Sequence, residues 1–267
     1  MLTNVVPPGT FATAALRVEN GQATVRRELL AEEVPLALVY NGISHAVMMG
    51  TPLDLEDFAL GFSLTEGILE SPSELLDFEV REEGEGLALE MHILESRFQS
   101  LKTRRRALTG RTGCGLCGLD SIDAAMRPAK SVMADEQYSA AQLTAALSRL
   151  VEAQELNSVT GATHAAGLLR GEQMIVREDV GRHNALDKVI GAAARETGEG
   201  GALLISSRAS YEMVHKAAAA GVPVLVAVSA PTALAVRIAE EAGVTLIGFA
   251  RGARLTAYSH PGRIVCA

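Results

Sequence analysis

The sequence predicts an α/β fold: a main layered sheet with helices on both faces, plus a smaller β-rich part at the N-terminus. Three observations lead there. The last third alternates short apolar runs with helix-length stretches. Two of those runs, Ala202-Leu203-Leu204-Ile205 and Val222 to Val228, are continuously apolar, as helix-covered parallel strands must be. The first third instead carries β-type runs paired around Asn-Gly dipeptides.

Element by element, residues 16–19 and 22–26 flank Asn20-Gly21, and residues 35–40 and 43–49 flank Asn41-Gly42. Asn-Gly supplies the positive φ angles of a type I′ turn, so both pairs read as hairpins. Thr51-Pro52 then opens a helix running to about Leu69, with Thr51 as N-cap, Pro52 at the first helical position, and Leu53, Phe58, Leu60 and Leu64 as its apolar side. Strands follow at 76–81 and 87–94. Residues 140–155 form a helix with Leu143, Leu147, Leu150 and Val151 at helical spacing.

Strands at 165–169 and 173–177 surround Arg170-Gly171. A helix at 182–195 comes next, then strand 202–206, helix 211–220, strand 222–228, helix 233–242 and strand 244–249. The organisation is a β-rich part with one helix over 1–108, a cysteine loop over 109–120, and an α/β part over 121–267. No internal repeat or low-complexity linker interrupts it.

Composition narrows the function. The chain has 267 residues, 48% hydrophobic and 21% charged, ordinary for a globular protein. A formal net charge of -8 disfavours broad attraction to nucleic acid, and 4% aromatic content without Trp leaves little for base stacking. Residues 1–10 carry neither Lys nor Arg nor an apolar core segment, so no secretory signal is read there. The uncharged stretch 217–236 is interrupted by Gly221, Pro223, Ser229 and Pro231 and reads as helix end, strand and helix start, not as a membrane span. Three cysteines make no disulfide framework, and the compartment expected is reducing cytosol.

The chemistry concentrates in a few places. Cys114-Gly115-Leu116-Cys117 follows a basic run, Lys102, Arg104, Arg105 and Arg106, and then Thr109-Gly110-Arg111-Thr112-Gly113. Gly113 and Gly115 around Cys114, and Gly118 after Cys117, suit an exposed, adaptable arm. Neighbouring cations favour the thiolate, the reactive form of a thiol. Three chemistries fit the pair: half of a zinc site, a thiol–disulfide oxidoreductase, or sulfur carriage. No second C-x-x-C supplies further zinc ligands, and a thioredoxin-type pair sits at a helix N-terminus rather than in a Gly-rich loop. Cys266, one residue from the end, is read as incidental.

Residues 177–188, Arg-Glu-Asp-Val-Gly-Arg-His-Asn-Ala-Leu-Asp-Lys, crowd polar groups around a strand-to-helix turn. His183 and Asp187 stand at i, i+4. A solvated helix face would explain most such clusters. This one sits where open α/β sheets bind ligands, at a helix N-terminus that attracts anions. Ser206-Ser207-Arg208-Ala209-Ser210 and Ser229-Ala230-Pro231-Thr232 repeat the arrangement, as helix caps or as phosphate donors. The three strand ends together would form one polar crevice. Phe249-Ala250-Arg251-Gly252-Ala253-Arg254 follows the last strand, its two arginines fit to present forked donors to a pyrophosphate or to make a basic surface turn.

On these residues the chain resembles the formate dehydrogenase accessory sulfurtransferase family, FdhD. The matching stretches are 160–166, 178–188, the loop 114–118, and 229–232 through 249–254, so the likeness runs from about Gly110 to the C-terminus. Glu178-Asp179-Val180-Gly181-Arg182-His183-Asn184-Ala185 is its most specific part. Ala162 and Ser207 stand where the family pattern has glycine. The resemblance implies a cytidine-deaminase-like layered fold and a homodimer. It also implies a cysteine desulfurase as sulfur donor, bis-molybdopterin guanine dinucleotide as bound acceptor, and a molybdenum-dependent formate dehydrogenase as recipient. It makes Cys114 the persulfide-bearing residue with Cys117 assisting, and Phe249, Ala250, Arg251, Gly252, Ala253 and Arg254 the cofactor-binding segment, with guanine nucleotides expected to bind as fragments.

Two rivals follow. A zinc deaminase needs His-x-Glu and Pro-Cys-x-x-Cys, but the chain has His164-Ala165-Ala166 and Gly113 before Cys114. No metal is expected. A non-catalytic chaperone that merely holds the molybdenum cofactor stays open on sequence grounds.

Overall fold

The computed structural model describes residues 6–109, 128–196 and 198–265, the side chains of 104–109 excepted. Cys114, Cys117 and the proposed loop 109–120 beyond Thr109 lie outside the described residues, as does Cys266.

Both Asn-Gly hairpins form, and both are longer than the apolar runs alone indicate. Strands β1 (Thr10–Glu19) and β2 (Gln22–Ala31) pair over their full length, with Asn20 and Gly21 at φ 52 and 78°. Strands β3 (Val34–Tyr40) and β4 (Ile43–Gly50) turn the same way at Asn41 and Gly42, φ 45 and 80°. β5 (Leu75–Glu83) and β6 (Gly86–Ile93) complete a four-stranded sheet of order β4-β3-β6-β5.

Helix α1 (Leu55–Thr65) lies against this sheet, starting later and ending sooner than the sequence suggested. Its N-cap is Asp54, in the left-handed region at φ 51°, without a side-chain cap bond. Thr51 is not the cap because its polar groups are engaged elsewhere. Its N–H donates to Asp179 Oδ2 (3.0 Å), its hydroxyl accepts from Val180 N (3.2 Å), and its carbonyl accepts from Lys188 Nζ (3.1 Å). A tertiary junction takes precedence over a local cap. Helix α2 (Glu95–Thr109) carries the basic run.

The main sheet has six strands in the order β13-β12-β11-β10-β8-β9. Its members are β8 (His164–Arg170), β9 (Gln173–Asp179), β10 (Ala202–Ile205), β11 (Val224–Ala227), β12 (Thr245–Arg251) and β13 (Arg254–Ala257). β10, β11 and β12 run parallel, whereas β8 pairs antiparallel with both β9 and β10. Every residue of β10 and β11 is buried, as their unbroken apolar runs require.

Helix α3 (Ala140–Glu152) covers one face of that sheet. Ser139 opens it through a capping box with Gln142, and Leu143, Leu147 and Leu150 face Val224, Val226 and Ile247. Val151 is exposed at 59%, one residue off the buried stripe. A short helix α4 (Glu155–Thr160) follows. Helices α5 (Arg182–Ala194), α6 (Tyr211–Ala219) and α7 (Ala233–Ala242) cover the other face through Leu186, Val189, Met213, Val214 and Ile238. Strands β7 (Tyr138–Ser139) and β14 (Ile264–Val265) tie the C-terminal end to the start of α3.

The layers therefore run α3, six-stranded sheet, α5 with α6 and α7, α1, four-stranded sheet. Glycines make the central contact possible. A Cβ on Gly61 would stand 1.8 Å from the Asp187 carbonyl oxygen, and one on Gly191 would stand 1.9 Å from that of Asp57. Among the described residues, no helix is long and apolar enough to cross a membrane.

Candidate functional site

Residues 177–188 form the end of β9, a tight turn and the first turns of α5. Their sequence suggested a ligand crevice, but most of these side chains face inward. Glu178 accepts from the backbone of Leu156 (2.7 Å) and Asn157 (2.8 Å) and from Thr163 Oγ1 (3.0 Å), so it caps α4. Asp179 Oδ1 accepts from Gly181 N (2.7 Å) and Asn184 Nδ2 (3.0 Å), while Oδ2 lies 2.7 Å from Lys188 Nζ. Asn184 also donates to the Met49 carbonyl (2.8 Å). Arg177 donates from Nε to Asp57 Oδ2 (2.8 Å). These bonds weld β9 and α5 to the end of β4 and to α1. Such side chains stay buried because every charge and donor has a partner.

Asp187 belongs to a second junction. Lys216 Nζ sits 2.9 Å from both of its oxygens, and Thr65 Oγ1 donates to Oδ1 at 2.8 Å. Burial works against the Lys216 charge, but Asp187 and Glu66 outweigh it and hold the ammonium above its ordinary range. The sequence singled out Asp187 and missed Lys216, Glu212 and Thr65. A signal existed: Glu212 and Lys216 stand at i, i+4 on α6, charge-matched to His183 and Asp187 at i, i+4 on α5.

Of the cluster, Arg182 and His183 remain at the sheet edge. His183 Nε2 is 2.7 Å from Glu212 Oε2, which joins the first turns of α5 and α6. Burial lowers the His183 pKa below 6.5, Glu212 partly opposes this, and Arg182 and Lys216 reinforce it. His164, at the start of β8, is lowered by burial and then by the charge of Arg182.

The register places these residues along one edge. His164 pairs with Asp179 and Ala166 with Ile205, so the start of β8 lies beside the ends of β9 and β10. The ends of β11 and β12 continue the row. Two of the hydroxyls there have structural roles: Ser206 Oγ accepts from Ala165 N (2.9 Å), and Thr232 Oγ1 caps α7 through Ala235 N (3.2 Å).

At the far end of the row, β12 bulges. Gly248 pairs with Thr256 and Arg251 with Arg254, so β12 carries one residue more than β13 between those pairs. Phe249 takes up the bulge at φ 50°, a left-handed conformation that is costly for a large side chain, and its N–H donates to the Ser229 carbonyl (3.2 Å). The residue is 43% exposed. Arg251 and Arg254 are exposed cross-strand partners at the hairpin, with Gly252 at φ 59° in the turn. Phe249 and residues 251–254 thus form a solvent-facing hairpin beside Ser229, whereas Ala250, read from the sequence as a binding residue, is buried in the core beside Val226 and Ile247.

A separate cleft of about 970 Å³ opens at the opposite sheet edge, by the carboxyl ends of α5 and α6. Thr65, Arg170, Glu196 and His215 line it, with Pro128 and Lys130 at its rim. Among the described residues, no three His, Cys, Asp or Glu side chains gather as a metal site.

The FdhD/NarQ family model matches residues 31–265. The chain is 53% identical over 263 residues to the sulfur carrier protein FdhD of Cupriavidus necator, covering 97% of this chain and 91% of that protein. It is 48% identical over 257 residues to the sulfur carrier protein FdhD of Bordetella petrii, covering 94% and 92%. A Desulfotalea psychrophila protein, crystallised as a candidate formate dehydrogenase accessory protein, superposes with a TM-score of 0.76 at 23% identity over 97% of this chain and 100% of its own. A family model spanning both the four-stranded sheet and the six-stranded one, and relatives this similar over nearly their whole lengths, place the chain in the FdhD/NarQ family.

Proposed function

We propose that the chain is a sulfurtransferase. It takes persulfide sulfur from a cysteine desulfurase and passes it to the molybdenum cofactor, bis-molybdopterin guanine dinucleotide, for a formate dehydrogenase. Membership of the FdhD/NarQ family, with relatives named as sulfur carriers, is the observation that carries this reading. In the first step the Cys114 thiolate attacks the outer sulfur of the donor's persulfide. The donor S–S bond breaks, the donor cysteine leaves as thiolate, and Cys114 holds the S–S–H group. Cys117 assists, and Arg111 with its neighbours favours the thiolate. The acceptor's electron pair then takes the outer sulfur, the Cys114 S–S bond breaks, and Cys114 leaves as thiolate, ready for the next donor.

Phe249, Ala250, Arg251, Gly252, Ala253 and Arg254 hold the guanine dinucleotide end of that acceptor. The exposed Phe249 ring and the paired arginines suit a planar base and its phosphates. The layered sheet is read as cytidine-deaminase-like, supported by the order β9-β8-β10-β11-β12, in which only β8 runs against its neighbours. The working form is a cytosolic homodimer.

Mass spectrometry of the protein after incubation with a desulfurase and cysteine tests the central step. The wild type should gain one sulfur atom per chain. Cys114→Ser should gain none and should fail to activate formate dehydrogenase. Cys117→Ser should impair activation. A Cys114→Ser protein that activates fully would leave the cofactor-holding chaperone as the better reading.

A further inference from the structure

Among the described residues, β1 and β2 pair with each other over ten residues and with no other strand. A two-stranded ribbon standing alone is marginal in water. Its cross-strand pairs give this one two unlike faces. Arg17, Glu19, Arg26 and Glu28 lie on one, where Arg17 pairs with Glu28 at 2.9 Å. On the other, Ala12 stands opposite Leu29 at the root, and Leu16 opposite Val25 and Val18 opposite Ala23 toward the tip. Arg27, opposite Ala14, is the one charged residue of that face.

The root of the ribbon is anchored. Glu32 N donates to the Gly9 carbonyl (2.8 Å), Gly9 lies against Leu53, and β2 rests on α4. Ala12 and Leu29 are half-buried there. Farther out, Leu16, Val18 and Val25 are 65%, 63% and 73% exposed. The apolar face thus begins on the chain's own body and runs on past it as an overhanging arm. Phe11 and Leu30, paired at the root of the charged face, are the exception to this sidedness. A continuous apolar face on a ribbon whose other face is charged marks an interaction surface.

From these observations we infer that the arm is the dimerisation element: its apolar face packs against the same face of a second copy of this chain. The inference rests on the reading of the working form as a homodimer and names the surface that makes it one. A two-fold axis sets a patch against itself, so a face that is apolar throughout, with no carboxylate and one arginine, is its own complement. The Arg27 stem can lie along apolar surface while its head reaches the rim. A ten-residue ribbon is about 33 Å long and about 10 Å wide, so one face offers roughly 330 Å². Lying antiparallel, each tip also reaches the partner's root, where β2 meets α4 and Val159 is exposed. With that surface each copy contributes roughly 500 Å², and the pair approaches the ~1,000 Å² of a specific interface.

Sedimentation equilibrium and light scattering on the full chain test the arm. Wild-type protein should have twice the chain mass at micromolar concentration. Leu16→Lys and Val25→Lys each set a charge against the partner's apolar face and Arg27, and each should weaken dimerisation about a hundredfold or more. Thr24→Lys, on the charged face of the same ribbon, should leave the dimer unchanged. All three side chains are exposed, and thermal melts of the variants should match the wild type. A wild type that is monomeric would overturn both the arm and the homodimer reading. A wild-type dimer that survives both Leu16→Lys and Val25→Lys would overturn the arm alone. Variants that stay dimeric yet no longer activate formate dehydrogenase would also overturn it, assigning the apolar face to a different protein.

Discussion

Gly61 of α1 and Gly191 of α5 meet backbone to backbone. A Cβ on Gly61 would lie 2.9 Å from the Gly191 nitrogen, and one on Gly191 would lie 2.8 Å from the Gly61 nitrogen. The still closer approach of each to a carbonyl oxygen leaves no flexible neighbour to move aside. Either Gly→Ala substitution must push the helices apart, although alanine favours an isolated helix. Gly61→Ala is expected to destabilise the protein by about 1–3 kcal/mol or more. Urea unfolding checks this, and an unchanged or raised midpoint would refute the contact.

The Asp179–Lys188 pair is fully excluded from solvent and joins β9 and α5 to Thr51. Lys188→Met leaves a buried carboxylate without its counter-charge, and the expected loss is about 3–5 kcal/mol. Asp179→Asn combined with Lys188→Met removes both charges and should recover part of that loss. A double-mutant cycle in guanidinium measures the coupling; additive losses would show the pair to be independent.

Phe249 separates stability from binding. Glycine tolerates its φ of 50°, whereas alanine carries the same left-handed penalty as phenylalanine. Phe249→Gly should therefore be about 1 kcal/mol more stable than Phe249→Ala. Both should weaken GDP alike, because both lack the ring. Thermal denaturation and calorimetry on the pair resolve the two effects, and equal stabilities would show that the bulge carries no strain.

Stability should fall on mild acidification. His164 and His183 both have folded pKa values below 6.5, chiefly through burial, so the unfolded chain binds more protons in this range. Their contribution is complete above the unfolded value and is lost as pH falls through 6.5 toward the folded values. Urea midpoints between about pH 7.5 and 5.5 should decline, and less steeply in a His164→Gln/His183→Gln protein. An identical slope in the double variant would assign the decline to other groups.

Local signals in the sequence determined much of this protein. Asn20-Gly21 and Asn41-Gly42 fixed two hairpins because few other dipeptides accept both positive φ angles. The unbroken apolar runs of β10 and β11 announced burial on both faces, and the helix boundaries at 182, 211 and 233 were legible from caps and periodicity. The family was legible in residues 178–185, whereas the cysteine pair alone fitted several chemistries. Which of those motif residues face a ligand was decided by tertiary structure alone. Glu178, Asp179, Asn184, Asp187 and Lys188 look like site residues in one dimension, yet their partners Leu156, Thr51, Met49, Thr65 and Lys216 lie far away in the chain or on another element. Thr51 reads as a helix cap until Asp179 and Lys188 reach it from more than a hundred residues away. Sequence spacing records which groups can interact within one helix or hairpin. It cannot record which distant backbone will arrive to satisfy a buried charge, and at the α1–α5 junction that arrival separates the internal joints from the motif side chains left at the sheet edge, Arg182 and His183.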